Sequence, residues 1–285
     1  MKEDIIIFGA STRGVYVFNK LKDIYNIIAF ADNDCKKWGK EIQGIKIINP
    51  KKLNYYGKKI FIASEYNEEI KAQLKEMNIN NFQMYNSSIE VVLNNLIDKG
   101  IELKKISALQ TFGGSGKGME RFYKDKVKEL DVWEIEKSFE DDLKRNLPNA
   151  NIKITDSFKE IRKTKKKYDM ILIDNPMTIF GEHCEHFDMY IEAFRIMKEE
   201  SIIILDIMPN LKNIDKKFEY IKESSHLLSR KLFYRCYDPL SINIEIMLQT
   251  YKEIANSNGY EIEWYFTEER SGDFIQYLVL KLKRS

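Results

Sequence analysis

The chain has 285 residues, with 46 basic and 44 acidic side chains and a formal net charge of +2. Charge this evenly balanced, with its Lys-rich stretches short and interleaved with Glu and Asp, argues against a nucleic-acid partner, and 44% hydrophobic with 32% charged residues excludes disorder. The length suits two ordinary domains; no apolar run approaches the roughly 18 residues of a membrane span, and Cys35, Cys184 and Cys236 lack zinc or disulfide spacing, so a cytoplasmic protein is expected.

Ile5 to Phe8 form a short apolar run that ends in the turn GASTRG, after which Val15, Phe18 and Leu21 recur at helical spacing. A second run, Ile27 to Phe30, leads to Asp32. This is the order of a dinucleotide-type βαβ unit, in which a turn and a helix N-terminus face a phosphate and an acid meets a ribose hydroxyl. The candidate nucleotide residues are Gly9, Ser11, Thr12, Arg13, Gly14 and Asp32. Ser11 stands where the middle glycine of GxGxxG would be, so the turn either binds a phosphate through Arg13 and the two hydroxyls or needs its glycines for geometry alone. Lys59 to Ala63, Glu68 to Met77 and Phe82 to Tyr85 read as a further strand, helix and strand. The segment FADNDCKKWGKEIQGIKIINPKKL resembles the small Rossmann-like N-terminal domain of bacterial surface-polysaccharide enzymes, including sugar acyltransferases. The resemblance covers residues 4 to 85 and implies a nucleotide sugar as ligand, while the dinucleotide-type turn leaves NAD(P) as the alternative.

Domain boundaries are expected at 1–86, with a helical linker over 87–104 and a second domain over 105–285. The second domain carries seven strand candidates: Ile106 to Gln110, Val132 to Ile135, Ile152 to Thr155, Met170 to Asp174, Ile202 to Ile207, Ile262 to Phe266 and Phe274 to Leu282. Helical patterns separate the first six. The last two are joined only by a polar turn around Ser271-Gly272-Asp273 and must form an antiparallel hairpin.

An α/β chain of two Rossmann-like domains, the second a parallel sheet closed by a terminal antiparallel hairpin, resembles in that second part the seven-stranded fold of S-adenosylmethionine (SAM) dependent methyltransferases. Strand one runs into TFGGSGKGMERF, which resembles that family's glycine-rich motif in either of two registers drawn from Gly113, Gly114, Gly116 and Gly118. Neither register supplies the acid usual just upstream, where Phe112 or Gln110 stands. A magnesium phosphate loop is disfavoured, because the spacer between glycines is missing and Gly118 replaces the Ser or Thr. The resemblance implies that an acid ending strand two, Glu134 or else Glu136, accepts the ribose hydroxyls of SAM, and that Asp156 faces the adenine. Each of these acids alone also reads as a helix cap or a solvent-facing side chain.

The loop after strand four, IDNPMTIFGEHCEHFDMY, brings Asp174 together with two of the three histidines, His183 and His186. Loops at the carboxyl ends of such strands face the ligand, and histidine suits proton removal near neutral pH. His186 or His183 is the expected base, with Asp174, Glu182 or Glu185 orienting it. A metal at His183, Cys184, His186 and Asp188 lacks a second ligand cluster, so none is expected. The stretch from Met208 to Tyr260 is longer than one crossover helix requires, and Arg230 to Arg235 read either as an acceptor-binding cluster or as a helix with one buried aromatic face. The function expected is methyl transfer from SAM to a small-molecule acceptor, a sugar or nucleotide-sugar of surface-polysaccharide assembly, with a second copy of the chain as an optional partner. The rival reading is a nucleotide- or NAD-binding regulatory protein without catalysis.

Overall fold

The computed structural model describes residues 2–64, 66–85, 88–174, 187–214, 216–270 and 274–285. The chain divides into two compact units, Met1–Ser87 and Ser88–Ser285.

In the first unit, β1 (Asp4–Phe8) places Ile5, Ile6, Ile7 and Phe8 at no more than 1% exposure, the mark of a parallel strand covered on both faces. It is followed by α1 (Thr12–Leu21), β2 (Asn26–Ala31), β3 (Glu41–Ile42), β4 (Ile45–Ile48), α2 (Leu53–Tyr56), β5 (Lys59–Ile62), α3 (Asn67–Glu76) and β6 (Phe82–Met84). The sheet order is β3-β4-β2-β1-β5-β6, parallel except for the β3–β4 pair. The reading of the sequence passed over that pair. Its strands are too short to show periodicity, but Gln43 (φ 52°) and Gly44 (φ 73°) are both left-handed, as a two-residue hairpin turn demands. The chain leaves β1 toward β2 on one side and later places β5 on the other, so strand order reverses between β1 and β5.

The second unit opens with α4 (Ser88–Asp98). The segment expected to be a linker is part of this unit's core: Ile89, Val92, Leu93 and Leu96 are each at most 2% exposed and pack with Ala108, Val132 and Leu172. There follow β7 (Ser107–Thr111), β8 (Glu129–Glu134), α5 (Glu140–Asn146), β9 (Asn151–Ile154), α6 (Ser157–Lys163), β10 (Tyr168–Ile173), α7 (Phe187–Ala193), β11 (Met197–Ile207), α8 (Ser224–Phe233), α9 (Ile244–Ser257), β12 (Tyr260–Glu269) and β13 (Gln276–Arg284). The sheet order is β12-β13-β11-β10-β7-β8-β9, with β13 antiparallel to both neighbours. This is the expected seven-stranded sheet, parallel but for β13 and closed by the terminal hairpin.

Register shows how one pattern builds two cores. Leu109 pairs with Ile171, Ile171 with Ile203 and Ile203 with Leu280, and all four enter one apolar cluster. Their neighbours Ala108, Met170, Ile202 and Val279 enter the cluster on the opposite face. Alternation along each strand therefore seals both sides of the sheet.

One expectation is corrected, and one pair of alternatives is decided. The helical pattern expected between the first two strands is only a 3-10 turn, Met119–Phe122, because glycines run up to Gly118 and Tyr123, fully buried, anchors the chain directly after it. The Arg230–Arg235 segment presents its aromatic side to the core: Arg230 is 0% exposed and donates to the carbonyls of Pro239 and Met208 at 3.0 Å each, and Tyr234 is buried. Arg235 instead pairs with Glu253 at 3.2 Å on the surface. No helix among the described residues is long and apolar enough to cross a membrane.

Candidate functional site

Strand order in the second unit reverses between β7 and β10, and the glycine loop leaves the carboxyl end of β7 at that point. Phe112 takes a left-handed φ of 56°, a strained conformation for a bulky residue, and its ring packs on Phe158 at 5.5 Å. Gly113 donates to the Trp133 carbonyl at 2.8 Å, and a Cβ there would lie 2.3 Å from Val132 Cγ1, so the loop lies directly against β8. Gly114 (φ 53°) then turns its amide onto Glu134 Oε2 at 2.6 Å. The other Glu134 oxygen accepts from the Glu136 amide at 2.7 Å, and the residue is 5% exposed. Among the described residues, a Cβ on Gly114 would meet nothing within 4 Å. The loop thus offers bare backbone to open space beside a held carboxylate, and these residues fit a nucleoside whose ribose hydroxyls face Glu134.

Of the sequence candidates, Gly113, Gly114, Gly116, Gly118 and Glu134 come together. Gly116 (φ 72°) donates to the Gly113 carbonyl at 3.1 Å. Glu136 contributes its backbone amide to Glu134. Asp156 caps α6: its Oδ1 accepts from the Phe158 and Lys159 amides, and its Oδ2 lies 3.1 Å from Lys159 Nζ. Partial burial acts to raise the Asp156 pKa, but these bonds outweigh it and leave it below the usual value.

Asp174 directly follows β10, beside an arrangement that strand periodicity does not reveal. Arg270 Nη1 lies 2.7 Å from Asp174 Oδ1 and also bonds Asp206 Oδ2, while its guanidinium stacks over Tyr277 at 5.3 Å. Asp206 is 3% exposed, and its Oδ1 is buried with no donor of its own. Burial disfavours charge on both acids. Arg270 outweighs this at Asp174, which stays below the usual carboxylate range, whereas Asp206, next to that charge, is driven well above it. Of the two, Asp206 is the more readily protonated. Close by, Glu120 is 1% exposed and accepts the Gly118 amide at 2.6 Å; burial pushes its pKa up to about 7. Tyr123 bonds Gln110 Oε1 beneath it.

Glu120, Asp206 and Arg270 were missed from the sequence. A single acid inside the apolar run IIILDI was the one available signal, and it pointed to Asp206. His183 and His186, with Glu182, Cys184 and Glu185, lie outside the described residues. Among the described residues no group of three or more His, Cys, Asp or Glu is arranged to hold a metal.

In the first unit, Gly9, Ser11, Arg13 and Asp32 line one cleft of about 640 Å³ with Lys37, Ser64 and Tyr66. It opens at the reversal between β1 and β5. Gly9 (φ 123°) and Gly14 are required by packing, since a Cβ would meet the Ala63 carbonyl oxygen at 2.3 Å and the Gly9 carbonyl oxygen at 1.9 Å respectively. Asp32 accepts from the Ala10 amide at 2.8 Å and from Lys37 Nζ at 2.9 Å, and Arg13 donates to the Tyr85 carbonyl at 2.9 Å. Thr12 is the first residue of α1.

A family model described as "C2185-like, N-terminal" matches residues 1–85. No curated protein matches the chain. Among solved structures, the chain is similar to magnesium protoporphyrin IX methyltransferase from Synechocystis PCC 6803 with bound SAH, at 12% identity over 70% of this chain and 82% of that one, with a TM-score of 0.44. A TehB-like SAM-dependent methyltransferase from Corynebacterium glutamicum matches at 12% identity over 78% and 97%, with a TM-score of 0.42. The plantazolicin methyltransferase BpumL, in complex with a monoazolic desmethylPZN analog and SAH, matches at 15% identity over 69% and 82%, with a TM-score of 0.46. These are likenesses of general arrangement, and no residue role is taken from them.

Proposed function

We propose that the second unit is a SAM-dependent methyltransferase acting on a small-molecule acceptor. One observation carries the reading: the Gly114 amide is turned onto the carboxylate of Glu134, the last residue of the neighbouring strand, at the carboxyl ends of β7 and β8 with open space above the glycine. SAM, when bound, supplies a methyl group on a sulfonium that an acceptor atom displaces in line. Glu134 receives the ribose hydroxyls, the glycines between Gly113 and Gly118 let the backbone approach the ligand, and Asp156 accepts from the adenine amino group. Asp174 holds a negative charge at the end of β10, where the acceptor is oriented. His183 or His186 removes its proton where the acceptor atom is a hydroxyl.

The acceptor class we propose is a sugar or nucleotide-sugar of surface-polysaccharide assembly, and separately the first unit's cleft is proposed to hold a nucleotide. Supporting that assignment, the cleft presents Arg13, Lys37 and the Ser11 hydroxyl, groups suited to phosphate. Calorimetric titration of the full chain with SAM, then with NAD and nucleotide sugars, tests both parts. SAM binding that Glu134→Ala abolishes supports the transferase. Binding of NAD or a nucleotide sugar alone favours a regulatory protein that holds nucleotides without catalysis.

A further inference from the structure

We infer that Asp32 holds Lys37 beside the glycine turn of the first unit's cleft, and that the ammonium so placed binds the diphosphate of a nucleotide whose ribose hydroxyls the cleft does not read. The inference rests on the nucleotide reading of this cleft and deepens it by naming the part of the ligand that is recognised.

The local chain builds the tether. Asp32 directly follows β2, and its Oδ1 accepts from the Asp34 amide at 2.8 Å, which turns the chain back on itself. Asp34 in turn caps the 3-10 turn Cys35–Lys37 by accepting from the Lys36 amide at 3.0 Å. The Trp38 indole donates to the Asp32 carbonyl at 2.6 Å, so residues 32 to 38 close into a compact loop. Lys37 faces the start of that loop and reaches Asp32 Oδ2 at 2.9 Å. The same oxygen accepts from the Ala10 amide at 2.8 Å, in the turn that leads from β1 into α1. Two donors on one oxygen are neighbours, which sets the ammonium beside the turn. Gly9, Ser11 and Lys37 accordingly line one cleft.

Asp32 is thereby occupied. An acid at this strand end reads a ribose by accepting its hydroxyls. Here its two oxygens already accept two backbone amides and an ammonium, and its side chain is 12% exposed. A ribose hydroxyl that displaced an amide would undo the turn, and one that displaced Lys37 would strip a largely buried carboxylate of its counter-charge. Lys37 has donors to spare. Its ammonium carries three hydrogens, Asp32 takes one, and the side chain is 35% exposed in the cleft wall. Ser11 stands at the N-cap of α1, yet its hydroxyl makes no capping bond. Where Ser11 replaces the middle glycine, a pyrophosphate loses its approach to bare backbone, and the Ser11 hydroxyl and the tethered ammonium supply donors instead.

The test is calorimetry on the full chain with SAH present for the second unit, comparing UDP and ADP with their 2′-deoxy and monophosphate counterparts. A diphosphate that binds should match its 2′-deoxy form within about twofold and exceed its monophosphate by about tenfold. Lys37→Met should weaken it by about tenfold, and Asp32→Asn, which loosens the tether, should weaken the ribose and deoxyribose forms equally. A preference of about tenfold for the ribose form that Asp32→Asn removes would show Asp32 reading the sugar, and overturns the inference. So does a diphosphate affinity unmoved by Lys37→Met. The deoxyribose comparison uses the unaltered chain and stands even where a variant does not fold. If no nucleotide binds the unaltered chain, the nucleotide reading of the cleft fails and this one with it.

Discussion

Glu134 and Gly114 are twenty residues apart in the chain and meet at 2.6 Å, the carboxylate of one accepting the amide of the other. The contact joins two adjacent strand ends and sets the carboxylate in place before any ligand arrives. A hydrogen bond to a charged group is worth about 1.5–3 kcal/mol, so Glu134→Gln should weaken SAM by roughly tenfold to a hundredfold in calorimetry. Unchanged affinity would remove the ribose role.

Adjacent glycines should fail differently. Gly113→Ala drives a methyl group to 2.3 Å from Val132, which is wholly buried, and is expected to cost about 1–3 kcal/mol of stability in chemical denaturation. Gly114→Ala meets nothing within 4 Å and costs only ~1–2 kcal/mol for its left-handed backbone, but its methyl group occupies the space facing the ligand. Its larger effect should appear in SAM affinity.

Stability should fall as pH rises through the window set by Glu120. Its pKa climbs from 4.5 to about 7 on folding, so between these values the folded chain holds a proton that the unfolded chain has lost. The stability difference between pH 4.5 and 7 is therefore on the order of 3 kcal/mol, at about 1.4 kcal/mol for each pH unit. Glu120→Gln should flatten this part of the profile in urea titrations at pH 5 and pH 8, since it leaves no proton to lose. A variant as steep as the unaltered chain would contradict the assignment.

Arg270→Met leaves Asp174 and Asp206 buried side by side without their guanidinium. Removing one partner of a buried ion cluster costs about 3–5 kcal/mol, and adding Asp206→Asn should recover part of it by removing one of the opposed acids. Thermal melts of the single and double variants measure the recovery.

Arg230 and Arg235 separate structure from surface within one helix and its exit. Arg230→Ala deprives the Met208 and Pro239 carbonyls of donors and opens a cavity, for an expected loss of about 3–5 kcal/mol, while Arg235→Ala should stay within about 0.5 kcal/mol. If Arg230→Ala instead keeps its melting temperature and loses only acceptor binding, the acceptor-site reading of this cluster returns.

Local patterning was enough to read the succession of strands and helices, because apolar periodicity directly reports which residues a strand or helix buries. It also placed a hairpin at the chain's end, since a tight polar turn between two apolar runs admits no crossover. The β3–β4 pair escaped because two-residue strands have no period, and α4 was read as a connector because an amphipathic helix does not say what covers its apolar face. The acidic cluster depended on folding: Arg270 reaches Asp174 across 96 positions and Asp206 across 64, and Glu120 sits in a 3-10 turn with no repeat to betray its burial. The raised carboxyls of Glu120 and Asp206 are products of desolvation and proximity. Both exist only once β7, β10, β11 and β13 lie side by side.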